Sequence, residues 1–182
     1  MIHNKIIIVV DMQNDFVTGP LGTKEAQAIV PKIAAYLKDQ ISCPNTFPIF
    51  TKDTHNTNYL ACHEGKSLPI EHCINKTDGW KIVNELSPYN IYRTVRKNSF
   101  GSSAWPYVIE GIEDDMTDLV PDYDITLCGV CTDICVISNA LILRSFFPEK
   151  DIYVKADLCA GSTPEKHLEA LDIMKSCQIQ II

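Results

Sequence analysis

Short apolar runs of strand length alternate along this chain with longer segments of helical period. Residues 5–10 form a continuous apolar run, the pattern of a strand buried on both faces. Residues 25–38 place Ala28, Ile29, Ile33 and Leu37 on one face of a helix, and Pro31 predicts a late start or a kink there. Residues 47–51 read as a second strand. Residues 91–95, Ile-Tyr-Arg-Thr-Val, are β-branched and aromatic and read as a third. Residues 124–128 make a fourth, followed by Gly129-Val130 and a helix over about 133–146. The fifth and sixth strands are 152–154 and 178–182, separated by a helix starting near Pro164, which suits a first helical position behind Thr163. This rhythm predicts a mainly parallel sheet with helices on both faces and no internal domain boundary over 1–182. The stretch 53–87 is long and irregular, and such loops in compact domains are usually functional.

Composition narrows the classes. The 182 residues are 46% hydrophobic and 21% charged, ordinary globular values. A net charge of −7 argues against nucleic acid as a partner and disfavours an anionic membrane surface. The apolar runs fall well short of the about 20 residues that span a bilayer. No secretory signal pattern opens the chain, so its eight cysteines are expected as reduced thiols in a cytoplasmic protein.

Ligands of an open parallel sheet bind beyond the carboxyl ends of its strands. That rule collects Asp11 and Asp15 past the first strand, Asp53 and His55 past the second, Lys97 past the third and 131–135 past the fourth. Thr132 reads as an N-cap, which puts Cys135 in the first helical turn, where free N–H groups and the macrodipole favour a thiolate and can hold an oxyanion. Two small buried hydrophobes are the plain alternative for Cys131 and Cys135. A carboxylate ending a buried strand, as Asp11 does, must be paired or functional. A thiol, an acid and a cation on one rim fit nucleophilic catalysis. Asp53-Thr54-His55 offers two ligands on one side of an extended segment, with His63, Glu64 and His72 downstream. An open Zn, Mn or Fe site from Asp, two His and a Glu or water is one reading. A closed structural zinc from Cys62, His63, His72 and Cys73 is another, and a solvated polar loop the third. Phe16, Tyr59, Trp80, Phe100 and Trp105 all fall in rim segments, where they floor a flat ligand or close the core.

These motifs together resemble the isochorismatase-like cysteine hydrolases, and among them the bacterial nicotinamidase/pyrazinamidases. The resemblance is carried by 10–16 (Val-Asp-Met-Gln-Asn-Asp-Phe) with Gly19, by 51–55 (Thr-Lys-Asp-Thr-His), by Lys97 with Phe100, and by 129–136 (Gly-Val-Cys-Thr-Asp-Ile-Cys-Val). Glu64 to Lys66, Leu68-Pro69, His72-Cys73 and Gly79-Trp80 extend it. It implies a three-layer α/β/α fold of about six strands and a triad of Asp11, Lys97 and Cys135. It also implies an oxyanion hole from the backbone of Cys131 and Cys135, and a cis peptide at Val130–Cys131. It places a divalent ion, with zinc the first expectation and Mn or Fe the others, on Asp53, His55 and His72, with Glu64 as the further ligand. Phe16 and Phe100 would line a small amide substrate, nicotinamide, hydrolysed through a thioester. Segment 98–123 and Asn139 depart from the family pattern, and the segment is expected near the mouth of the site. A sister amidohydrolase acting on another small amide, or a non-enzymatic metal or redox module, are the competing functions. A homo-oligomer is compatible with all of them.

Overall fold

Residues His3–Val10 form β1, and from Ile6 to Val10 every side chain is fully buried, which puts this strand at the centre of a sheet covered on both faces. The computed structural model describes residues 3–116 and 122–182. β1 pairs with β2 (Thr46–Asp53) on one side and β4 (Asp122–Val130) on the other. Beyond them lie β3 (Arg93–Lys97), β5 (Ile152–Ala160) and β6 (Gln180–Ile181), giving the order β3-β2-β1-β4-β5-β6. All five pairings are parallel. The helices are α1 (Asn14–Val17), α2 (Lys24–Gln40), α3 (His63–Ser67), α4 (Trp105–Glu113), α5 (Ile137–Phe146) and α6 (Pro164–Ser176). α4, α5 and α6 pack side by side, while α2 packs on β4 and β5, completing an α/β/α arrangement. No helix among the described residues is long and apolar enough to cross a membrane.

Several expected boundaries move, each for a physical reason. α2 starts at Lys24, capped by the Thr23 hydroxyl, which accepts the Ala26 N–H at 3.0 Å, and it runs through Pro31. Pro31 and Gln27 both face solvent, so the carbonyl that Pro31 leaves without a donor meets water rather than core. Ala28 is exposed, and Ala26 and Val30 take the buried face with Ile29, Ile33 and Leu37. β3 begins two residues later than its β-branched run, because Ile91 is exposed and Arg93 is the anchor. The Arg93 guanidinium donates to the carbonyls of Val108 and Gly111 on α4. β5 continues well past Val154, where Lys155 and Asp157 hid a strand from a hydrophobic reading. The helix expected over 133–146 is two elements, a π-helical turn over Thr132–Val136 and then α5. The part of segment 98–123 at 117–121 lies outside the described residues.

Candidate active site

The sheet delivers its chemistry to one rim. β1 has β2 on one flank and β4 on the other, so the direction of strand succession reverses between β1 and β4, where ligands of such sheets bind. Asp11 follows β1 directly, while Asp53 and Lys97 are the last residues of β2 and β3 and sit side by side in register. Gly129 has φ of +117°, and a Cβ there would run into the Val10 backbone, so only glycine lets β4 pass this close to β1. The chain then takes a cis peptide at Val130–Cys131 and enters the π turn that carries Cys135.

Asp11, Lys97 and Cys135 meet in the interior. The Lys97 ammonium lies 2.5 Å from Asp11 Oδ2, 3.7 Å from Cys135 Sγ and 3.8 Å from Asp53 Oδ1. Thr51 fixes the acid from the other side. Its hydroxyl donates to Asp11 Oδ1 at 2.6 Å and accepts the Asp11 N–H at 3.1 Å. Asp11 sits at φ of 50°, a left-handed conformation that Asp tolerates better than most residues. Burial pushes the Asp11 carboxyl above its ordinary range, and the charge of Lys97 opposes that. Burial lowers the affinity of Lys97 for its proton, but Asp11, Cys135 and Asp53 outweigh it and hold the ammonium charged. The Cys135 thiol is driven well above its ordinary pKa, first by burial and then by the Asp11 charge, against Lys97. Desolvation of the buried sulfur thus opposes the thiolate expected at the helix start. The capping expectation also fails, since Cys131 occupies the cap position and the Thr132 hydroxyl is instead 2.8 Å from His167 Nδ1.

A second cluster adjoins the first. One ligand atom from each of Asp53, His55, Glu64 and His72 lies within 4.8 Å of all the others. His55 Nε2 is 2.9 Å from Asp53 Oδ2 and 3.6 Å from Glu64 Oε1, and His72 Nε2 is 3.5 Å from each of the same oxygens. His72 Nδ1 donates to the Ile70 carbonyl at 2.8 Å, which leaves Nε2 as the nitrogen aimed at the cluster. Burial raises the Asp53 carboxyl, but hydrogen bonds to His55 and His72 and the charge of Lys97 hold it well below its usual range. Burial lowers His72, yet its bonds to Asp53 and Glu64 lift it to about 10. Two carboxylates and two imidazoles converging in this way call for a cation, and oxygen with imidazole donors suit Zn, Mn or Fe. No other group of three or more His, Cys, Asp or Glu ligand atoms converges among the described residues, so the Cys62–His63–His72–Cys73 alternative is not assembled. Cys62 instead accepts the Gly65 N–H at the start of α3, and Cys73 is buried with its thiol pushed up by desolvation.

Residues whose anchoring role was not legible in the sequence hold these groups in place. Gln13 is fully buried and bonds the Asp53 backbone twice, accepting its N–H at 2.7 Å and donating to its carbonyl at 2.9 Å. Asp15 accepts the Cys73 N–H at 2.7 Å and so ties the His72 loop to the end of β1. Tyr59 packs on both imidazoles, with ring centroids 4.7 Å from His55 and 5.0 Å from His72. Of the rim aromatics, Trp105 closes the core rather than the site, Phe16 packs 5.4 Å from His72, and Phe100 is half exposed. A cavity of about 320 Å³ is lined by Phe16, Phe100, His72, Glu64, Cys131 and Cys135, so both clusters open on one space. A second cavity of about 570 Å³ shares Glu64 and Phe100 with it and is walled by Asn98 and Ser99, which puts the start of the unmatched segment at the mouth.

A parallel α/β sheet with these two clusters on its rim is the frame of a hydrolase. Residues 5–182 match the model of the Isochorismatase domain, and the chain belongs to that family. Nicotinamidase of Schizosaccharomyces pombe is 26% identical over 212 aligned positions, covering 100% of this chain and 94% of that protein. The nicotinamidase/pyrazinamidase of Bacillus subtilis superposes with a TM-score of 0.82 at 24% identity, covering 98% of each chain. The pyrazinamidase of Pyrococcus horikoshii, solved in complex with zinc, superposes at 0.80 with 24% identity and 98% of each chain covered.

Proposed function

We propose that this enzyme hydrolyses nicotinamide to nicotinate and ammonia, with Cys135 as the nucleophile. The single observation that carries this reading is the shared cavity, lined by Cys135 and by His72 and Glu64 of the second cluster. A protonated, buried thiol needs a base beside it, and Asp11, whose carboxyl burial makes more basic, is the group placed to take that proton. Sγ then attacks the amide carbon, and the oxygen becomes an oxyanion held by the backbone N–H groups of Cys131 and Cys135. Asp11 passes the proton to the nitrogen, ammonia leaves and a thioester to Cys135 remains. Water attacks the thioester carbon and gives its proton through Asp11 to the departing sulfur, which restores the thiol. Lys97 holds its positive charge beside Asp11 and Cys135 throughout. Asp53, His55, Glu64 and His72 would hold a divalent ion, zinc before Mn or Fe. That ion would supply an open position to an aromatic ring nitrogen and so orient the carboxamide. Phe16 and Phe100, which line the cavity, would pack against the ring. Free thiols at all eight cysteines fit a reducing compartment, the cytoplasm.

The test is ammonia release from nicotinamide, pyrazinamide and benzamide. Benzamide has nearly the shape of nicotinamide but offers no ring nitrogen, so its kcat/KM is expected to be lower by at least about tenfold, roughly 1.4 kcal/mol in the barrier. Equal turnover of benzamide would remove the role given to the ion, and no turnover of any of the three would remove the substrate class.

A further inference from the structure

The most completely bonded polar side chain near the nucleophile is Asn139, on α5. It is fully buried. Its Oδ1 accepts the Ser102 N–H at 3.0 Å and the Trp105 indole N–H at 2.8 Å. Its Nδ2 donates to the Phe100 carbonyl at 3.2 Å and to the Cys135 carbonyl at 2.7 Å. An amide has two acceptor and two donor places, and here each is used once. Three of the four bonds go to the segment from Phe100 to Trp105 and the fourth goes to the backbone of Cys135 itself. Phe100 and Cys135 both line the same cavity. A side chain that only filled the core would not need bonds to two separate segments that line the cavity.

We infer that Asn139 is a positioning residue that sets the distance between the turn carrying Cys135 and the Phe100 wall of the cavity. The inference rests on the reading of Cys135 as nucleophile and deepens it. The π turn makes such a clamp necessary. Its Val136 N–H reaches back five residues to the Cys131 carbonyl, a wider and less common winding than the α-helix. The bond from Asn139 fixes the Cys135 carbonyl as this turn passes into α5. The donor half of the amide cannot be replaced by a residue with acceptors alone: Asp keeps partners for Ser102 and Trp105 but loses the two donors.

The experiment uses N139D, with N139S as a second variant that removes the bonds without adding an acid. Folding is checked by circular dichroism and thermal melting. Each variant is then read in two ways, by KM and kcat for nicotinamide per folded enzyme and by the rate of Cys135 alkylation by iodoacetamide, followed by mass spectrometry. KM is expected to rise by about fivefold or more as the Phe100 wall loosens, and the alkylation rate to change by about threefold or more. A merely structural role would lower the folded fraction and leave both unchanged. A folded variant with wild-type KM and alkylation rate overturns the inference. Alkylation needs no substrate, so it still decides the matter if nicotinamide proves not to be turned over. If neither variant folds, the wild type decides. Carbamidomethylation of Cys135 should then shift the Trp105 indole and Ser102 amide resonances, and unmoved resonances overturn the inference.

Discussion

At the scale of single residues, two thiols compete for the chemistry. Both Cys131 and Cys135 line the cavity, and both are raised by burial, Cys131 to about 12. What separates them is the contact of Cys135 Sγ with the Lys97 ammonium at 3.7 Å, since the Asp11 charge raises both thiols. A thiol that gives up its proton to Asp11 as it attacks gains the compensation of Lys97, and Cys131 has no such contact. Cys135→Ala should therefore lose turnover by at least about a thousandfold, with the proposed nucleophile gone. Cys131→Ala should keep turnover within about tenfold, because only its backbone N–H is used. Ammonia assays on both variants, with folding checked by thermal melting, settle this, and a dead, folded Cys131→Ala beside an active Cys135→Ala reverses the assignment. Lys97 has a further contact that its position in the sequence could not reveal. It bridges Asp11 and Asp53, so one buried cation serves both clusters.

At the scale of elements, the strands were legible and the turns were not. The ends of β1, β2 and β3 follow from apolar runs and the strand-end rule, and they carry Asp11, Asp53 and Lys97 to one rim because parallel strands all end on the same side. The π turn was read as a simple helix start, because Thr132 is a good capping residue and nothing local signals a five-residue winding. Gln13 and Asn139 were invisible as anchors because their worth depends on partners 40 and 37 residues away, Asp53 and Ser102. Glu64, by contrast, was found from its resemblance and joins the convergent cluster, whereas His63 does not. The opposite end of the central strands carries a pH-dependent join of its own. His3 at the start of β1 reaches Asp124 at 3.0 Å and Asp122 at 3.1 Å at the start of β4, and these bonds raise its pKa above 6.5. A His raised in the folded state contributes stability that is fully present below the ordinary value of 6.5 and is lost as pH rises through the raised value. Wild type and His3→Gln should thus differ more in melting temperature at acidic than at alkaline pH. A difference that grows with rising pH would contradict this join.

At the scale of the whole molecule, the candidate metal ligands sit on the rim and the core does not depend on them. Asp53 and His55 belong to and follow β2, while Glu64 and His72 come from α3 and the loop after it. The apolar core, from Ile6–Val10 of β1 through Leu127 and Cys128 of β4 to the helices, is closed without any of the four. Nor is there a thiolate cage. Cys62 is occupied as a cap for α3, and burial keeps Cys73 protonated. A closed thiolate site contributes folding free energy outright, whereas an open site of carboxylates and imidazoles chiefly orients a ligand. Removal of the ion should for this reason abolish turnover while leaving secondary structure intact. Two carboxylates would lose their counter-charge, so a melting temperature lower by a few degrees is expected, on the order of 1 kcal/mol. The check is chelator treatment followed by circular dichroism, a thermal melt and an ammonia assay, with zinc, manganese and ferrous iron added back separately. Recovery of turnover on add-back, from a protein that stayed folded, is the outcome that this arrangement of ligands and core requires. Unfolding on chelation, with Cys62 and Cys73 found bound to the metal, would show that the rim had been holding the fold together.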